Sequence, residues 1–519
     1  LLLPERKWDR PLNDTINTFL GDNRKRLFAI GFLILAALLI RILFFTGGVR
    51  GSDAYAYALH AFQIGTGQYE INTIGSFYGF RFTLLLPTAL SYYLFGVSDY
   101  SSVVFLYLCS LLNILAAFLL AEKIFDRKTA IIAAALLAVY PLDIATANTL
   151  SPDSFIPVLS SLAILCYVMA ENKPYASWMG RFYLFLTGLL IAFAYLSRIT
   201  SVFLFAALLC HHLFRRQRLS ALVWVVIGLA IPLIGEALYY TIHTGDPLFH
   251  YHRIAIHDSL VKGPDPDAIV SLLFYPKVMF GFDLTGWAFY GLMWWMVMAG
   301  LILSLYRKDK RMILPAVFLV IPFLGFEFGT QSLKETIPIM KNYNYLSLIT
   351  CSATLIAAYA MREGFTLLFP NSRKRLPAYI LTMAIIASMN MYGTYRLAQN
   401  TKNDAAPYVA VADAMRGQAL RPIYVHHDRW PLFLRYFLRY DQALDFRMMN
   451  GMSKEQIENI SGAYVVLHKR YLDADTAGRS FRQLPQYAGY LNSQPPKWDK
   501  ILFYEGKPSY NTVTLFSVK

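Results

Sequence analysis

Two carboxylates stand where long apolar runs give way to polar sequence. Asp53 follows the apolar run Leu27–Phe45 within GGVRGSDAYAYALHAFQIGTGQYE, and Asp153 sits in YPLDIATANTLSPDSF at the mouth of the apolar run 153–170. Each can be a helix cap, Ser52 or Asp53 satisfying free N–H groups of the following segment and Asp153 doing so after Pro152. Each can instead do chemistry, as a general base or as a ligand for a divalent cation such as Mg²⁺ or Mn²⁺. Two carboxylates on two separate turns beside one bundle favour a shared site. In that site one acts as the base, and the other orients groups or holds the cation. Asp143 lies nearby but inside the end of a helix.

Cations punctuate the apolar runs in the same way. Arg198 interrupts two of them, 181–196 and 200–214; Arg81 opens the run 82–97; Lys341 precedes the run 344–361. A charge at such a place is costly unless paired or hydrated, which makes it a functional candidate. The alternative is snorkelling to the lipid interface. Lys334 is a weaker rival. The stretch GDPLFHYHRIAIHDS offers His250, His252, His257 and Asp258, but the two-residue spacing of the first pair suits neither one helix face nor a structural zinc site. These groups read better as interfacial or substrate contacts. Tyr55, Tyr57 and His60 decorate a weakly amphipathic helix after Asp53 that lies along the bilayer surface.

The composition says what positions these residues. Of 519 residues, 56% are hydrophobic and 16% charged, against about 25% charged in ordinary soluble proteins. That excludes disorder, coiled coil and a disulfide scaffold, and leaves a polytopic helical membrane protein. A crossing needs about 20 apolar residues. Runs of that kind lie at 27–45, 102–124, 129–147, 153–170, 181–196, 200–214, 221–243, 286–306, 311–329, 344–361 and 377–396. The run 82–97 is short and carries Pro87.

Basic clusters settle its status. They lie at 24–26, 123–128, 215–218, 307–311 and 373–375. If 82–97 rests at the interface, all of them fall on the cytoplasmic face, as the positive-inside rule requires. The expectation is eleven crossings (range 11–13), the N-terminus inside and the C-terminus outside, in the plasma (inner) membrane. Segment 1–26 is then cytoplasmic, 27–396 the membrane domain with an exterior loop at 46–101, and 397–519 an exterior soluble α/β domain. The first residue is Leu, so the natural start is expected to be missing; Leu27–Phe45 reads as an uncleaved anchor. Cys109, Cys166, Cys210 and Cys351 all fall within apolar helices and read as buried small hydrophobes.

The segment after residue 400 holds 16 basic and 11 acidic residues and alternates in pattern. Pro422–His427, Ala463–His468 and Thr512–Val518 read as strands, and Ala405–Met415 and Trp430–Tyr440 as helices. Without a Gly-rich phosphate loop, it reads as a packing or acceptor-docking module. The net charge of +15 reports membrane orientation and carries no nucleic-acid role. No internal repeat joins the two halves, which weakens a transporter reading.

The chain resembles the integral-membrane glycosyltransferases of the C-type superfamily. Within it the resemblance is to the branch of dolichyl-phosphate-mannose protein mannosyltransferases, aminoarabinose transferases acting on lipid A, and rhizobial galacturonosyltransferase-like proteins. GSDAYAYALHAFQIGTGQYE resembles the family's first exterior loop, TLSPDSFIP its second, AYLSRIT a break between two short helices, and KNYNYLSL the aromatic start of a late helix. The resemblance implies a polyprenyl-phosphate sugar donor, an inverting transfer and Asp53 as the catalytic residue, with Asp153 at the second-loop acidic position. It implies Arg81, Arg198 and Lys341 around the departing phosphate, where cations stabilise developing charge. Tyr55, Tyr57, His60, His252 and Tyr345 are candidate contacts to acceptor or sugar. Ala54 stands where mannosyltransferases often carry a second acidic residue, so a metal between Asp53 and Asp153 stays open. The acceptor is a glycolipid, a glycan or a protein. A lipid-linked-sugar transporter or flippase, and a polymerase or ligase using a diphosphate-linked donor, are the rivals.

Overall fold

The computed structural model describes residues 23–71, 77–174, 177–254, 273–281, 284–329, 339, 341–370, 372–427, 429–441, 443–449, 452–472 and 498–519. His257, Asp258 and Lys334 lie outside the described residues. The chain forms two compact units. The first comprises the chain up to Phe45, Glu70–Pro87 and Val103–Leu397; the second comprises Thr46–Tyr69, Thr88–Ser102 and Ala398–Lys519.

The first unit is helical. Among the described residues, eight helices are long and apolar enough to cross a membrane, and the bent pair Arg127–Ala138 and Pro141–Ala147 makes a ninth. Phe82–Phe95, Ile199–Phe214 and Met293–Arg307 are shorter apolar helices. The expected eleven crossings correspond to those nine plus the last two. Phe82–Phe95, with Pro87 inside it, is the short helix expected at the interface. Phe28, Phe32, Leu35 and Leu39 project outward from the first helix, the face a helix turns to lipid.

Two of the expected runs are broken. The 55° bend in the run 129–147 falls where Tyr140 is extended before Pro141, which has no N–H to donate. The run 286–306 divides into Leu284–Tyr290 and Met293–Arg307 at Gly291, whose φ is +55°. A Cβ there would run into the Asn390 side chain, so only glycine fits on both counts.

Water drives no helix association inside a bilayer, so close backbone contact must. Trp178–Ser197 and Leu222–Thr244 meet through Gly188 and Gly228. A Cβ on the first would strike the carbonyl of Val225, and one on the second that of Phe185. Cys109 and Cys351 are buried as expected, but Cys166 is only half-buried and Cys210 is exposed on its helix. Both are still free thiols.

The second unit holds a five-stranded sheet, ordered β2-β1-β3-β5-β4. The strands are β1 (Ile423–Val425), β2 (Phe446–Met448), β3 (Ala463–His468), β4 (Trp498–Tyr504) and β5 (Val513–Val518). β2, β1 and β3 run parallel, and β5 and β4 pair antiparallel. Every residue of β3 is buried, which is why AYVVLH lacks a polar face. The helix expected at 405–415 is the end of one 44-residue helix, Ser372–Met415, that also contains the run 377–396.

This unit buries histidines. His426 donates from Nδ1 to the Val466 carbonyl at 3.0 Å, and the His468 ring packs against Trp430 and Tyr408. Burial pushes His426 down to about 4 and holds His468 well below the ordinary range. The unfolded chain takes up these protons near pH 6.5. Between pH 6.5 and about 4 it therefore binds more protons than the folded chain, and stability falls as the pH falls; above pH 7 the contribution is flat. His426 alone accounts for about 3 kcal/mol at the acid end. Tryptophan-monitored melting of the full chain should show the midpoint dropping from pH 7 to pH 5, and His426→Leu should flatten that slope. A midpoint that does not move over this range would refute the account.

Candidate active site

The first unit gathers four of the residues expected from sequence. The helix Trp178–Ser197 ends with Arg198 in an extended conformation, its N–H still reaching the Ala194 carbonyl. The chain then restarts as a short 3-10 turn, Ile199–Ser201, leading into Val202–Phe214. Arg198 is thus carried on a break between two apolar helices. Its Nη1 lies 2.5 Å from Oδ1 of Asp153, which is 3% exposed on the turn Pro152–Ser154. The guanidinium also stacks 4.4 Å from the centre of the Tyr345 ring.

Tyr345 belongs to the 3-10 segment Tyr343–Ile349, started by Asn342, whose side chain accepts from the Asn344 N–H. Lys341 lies just upstream. It is buried and paired at 2.5 Å with Glu327, at the end of the helix Ile313–Phe328. Glu327 also accepts from the N–H groups of Leu273, Phe274 and Tyr275, capping the short helix Phe274–Met279. One carboxylate thereby fixes a cation and a helix start together. Sequence inspection missed Glu327, because a lone Glu near the end of an apolar run looks like a rim residue.

Arg81 precedes the helix Phe82–Phe95 and lies 4.9 Å from the centre of the Phe77 ring. The Thr83 and Ser197 hydroxyls are 2.7 Å apart, which joins the start of that helix to the residue before Arg198. Arg81 and Arg198 are therefore carried on two elements that meet at this hydroxyl contact. Asp143 has a different partner, Arg41, in a buried network described below.

Asp53 belongs to the second unit. It is exposed in the first turn of the helix Ser52–Gly65. The N-cap is Gly51, so neither Ser52 nor Asp53 takes the capping position that the sequence allowed. The helix is fixed by its aromatic face: the Tyr55 ring lies 4.0 Å from Phe433 and 5.6 Å from Tyr436, and Phe62 stacks on Tyr440. Arg50, just before it, pairs with Asp99 at 2.6 Å, and Asp99 accepts from the Tyr436 hydroxyl. Tyr57 is buried, and so is His60, which bonds to Gln63 and whose ionisation is lowered by burial. These three side chains hold the helix rather than line an open surface.

His250 and His252 are paired off. His250 meets Glu236 at 3.1 Å in a buried pocket of aromatic rings, and exposed His252 bonds to Asp246 at 2.7 Å, which holds the pKa of that carboxyl below its ordinary value. Among the described residues, no three His, Cys, Asp or Glu side chains gather as a metal site. Asp153 has the Arg198 guanidinium as its counter-charge, so this donor set does not suit a divalent cation.

Residues 85–240 match the model of the family described as dolichyl-phosphate-mannose-protein mannosyltransferase. No curated protein matches by sequence. Among solved structures, the chain is similar to ArnT from Cupriavidus metallidurans in the apo state, with 14% identity and a TM-score of 0.64 over 94% of this chain and 97% of that one. The same protein bound to undecaprenyl phosphate aligns at 14% identity and a TM-score of 0.61, with the same coverage. The oligosaccharyltransferase of Archaeoglobus fulgidus, tethered to an acceptor peptide, aligns at 13% identity and a TM-score of 0.55 over 88% of this chain and 70% of that one. The fold is that of the C-type integral-membrane glycosyltransferases. Within that class the chain resembles the ArnT and protein mannosyltransferase branch.

Proposed function

We propose that the chain transfers a sugar, with inversion, from a polyprenyl-phosphate carrier to an acceptor hydroxyl on the outer face of the membrane. Its N-terminus is cytoplasmic, and residues 397–519 lie outside. Arg198 and Arg81 hold the departing phosphate. Lys341 adds positive charge behind them, fixed by Glu327. Asp153 orients Arg198, and Asp53 removes the acceptor proton as the hydroxyl attacks the anomeric carbon opposite the phosphate.

The observation that carries this is the Arg198–Asp153 pair at a helix break, with Tyr345 under the guanidinium. Burying an arginine this way is costly, and a stabilising role alone would be better served by apolar packing. A phosphate leaving group gains negative charge as its bond to the sugar breaks, so a fixed cation lowers the transition state more than the ground state. Support also comes from the undecaprenyl phosphate bound by the Cupriavidus relative.

Purified protein with a radiolabelled polyprenyl-phosphate sugar and an acceptor glycolipid should release free polyprenyl phosphate. Movement of intact donor across the membrane would favour a flippase instead. Arg198→Lys should keep the charge near Asp153 but lose the planar guanidinium over Tyr345. Its kcat should fall about 10²–10³-fold with the melting temperature little changed. An undiminished kcat would remove Arg198 from the phosphate site.

A further inference from the structure

The second unit contains a cleft of about 430 Å³ that the transfer reaction does not use. Three stretches build it: the turn after the helix Ser372–Met415, the turn after the helix Arg429–Phe437, and the start of β3. Its lining includes the apolar side chain of Leu438 and the largely buried Tyr464. Its rim carries Arg416, Arg421 and Arg439 against one carboxylate, Asp441.

The charges on this rim do not cancel. Arg416 is paired with Asp413 at 2.7 Å, and Asp441 accepts from the Ala443 N–H at 3.0 Å. Among the described residues, neither Arg421 nor Arg439 has a carboxylate partner. Arg421 is held in place all the same, over the Tyr464 ring and with a hydrogen bond to the Ser517 hydroxyl at 3.3 Å. Arg439 is presented by an unusual backbone. It and Tyr440 have φ of +59° and +56°, a left-handed conformation that residues with side chains rarely adopt, and the Tyr440 ring is anchored by stacking on Phe62. Two arginines thus line this cleft without a carboxylate counter-ion among the described residues. A guanidinium binds an oxyanion through parallel N–H bonds, and an apolar or aromatic lining suits the carbon face of a sugar ring.

We propose that this cleft binds an anionic saccharide, its phosphate or carboxylate between Arg421 and Arg439 and its ring over Tyr464 and Leu438. This site is separate from the donor phosphate site and does not depend on the transfer reaction.

The test is equilibrium dialysis of the full-length protein in detergent against radiolabelled glucose 1-phosphate, glucuronate and glucose. At least one of the two anionic sugars should bind saturably, and at least 10-fold more tightly than glucose. The two anionic arms tell whether phosphate or carboxylate is preferred. Arg421→Gln with Arg439→Gln should weaken that binding 10-fold or more, and Arg421→Lys with Arg439→Lys should recover part of it. Arg198→Gln, which alters the donor site, should leave it unchanged. The proposal is overturned if the double Gln variant binds within twofold of the parent, if glucose binds as well as the anionic sugars, or if nothing binds saturably.

Discussion

Asp53→Asn should cut sugar transfer by about 10²–10⁴-fold while the protein melts at the parent temperature. The asymmetry follows from where Asp53 sits. It is exposed in the first turn of its helix, and Gly51 occupies the N-cap. Asparagine removes its interaction with the helix dipole, worth about 0.3–1 kcal/mol, and keeps the shape. The helix itself is held by Tyr55 and Phe62 against Phe433 and Tyr440, which the substitution does not touch. What asparagine cannot do is accept a proton from a hydroxyl. The loss should therefore fall on kcat, with KM for the lipid donor little changed. Initial rates of polyprenyl phosphate release, measured beside thermal melting, decide the matter. Transfer at near-parent rate would remove Asp53 as the base. Asp153→Asn is the instructive contrast: it removes the counter-charge of the largely buried Arg198 side chain, so melting temperature and activity should fall together.

The elements that sequence could locate are those with a long apolar period or a dense alternation. The strand expected at 463–468 occupies those residues, and the one expected at 512–518 runs from Val513 to Val518. β2 escaped because Phe-Arg-Met is three residues long and half-exposed, so it carries no alternation of its own. β4 is an edge strand whose middle is exposed, and only its pairing with β5 makes it a strand. The break at Gly291 was invisible for a related reason: hydropathy runs straight through it, and the Asn390 side chain that crowds the glycine is about 100 residues away in sequence. In the site, the helix break at Arg198 was legible because a lone charge between apolar runs must be explained. Its partner's identity was not, since Asp153 looked equally like a cap. Glu327 and Arg41 were passed over because each lies within or at the end of a helix whose pattern is otherwise apolar. A single charge there changes no window average, and its worth depends on contacts that only the fold creates.

Arg41 is the largest of those omissions, and its removal should cost about 3–5 kcal/mol. Its side chain is fully buried near the end of the helix Asn23–Leu43. The guanidinium donates to the carbonyls of Ala37 and Ala138, to the Ser110 hydroxyl and to Asp143. Ala138 ends the helix Arg127–Ala138, so Arg41 satisfies a carbonyl that the bend at Pro141 leaves without an intrahelical partner. Asp143 in turn accepts from Ser110 and from Asn113, and Asn113 accepts from Ser161. The network does more than fill space. Asn148, just past the end of the Asp143 helix, accepts from Tyr107, and Ser154 bonds back to the Thr146 carbonyl. The residues from Pro141 to Ser154 are thereby a single braced segment, and Asp153 is carried on it. Arg41→Met keeps the bulk but leaves the buried Asp143 without its counter-charge, holding only the Ser110 and Asn113 hydrogen bonds. Unfolding in detergent should show the full loss, and the transfer rate should drop because Asp153 no longer meets Arg198 squarely. Arg41→Met combined with Asp143→Leu removes both charges and should regain most of the stability, since two apolar side chains need no solvation there. If the double variant is as unstable as the single one, the pair matters for its hydrogen bonds to Ser110 and the helix-end carbonyl. If neither variant is destabilised, the network is not what holds the bent helix in place.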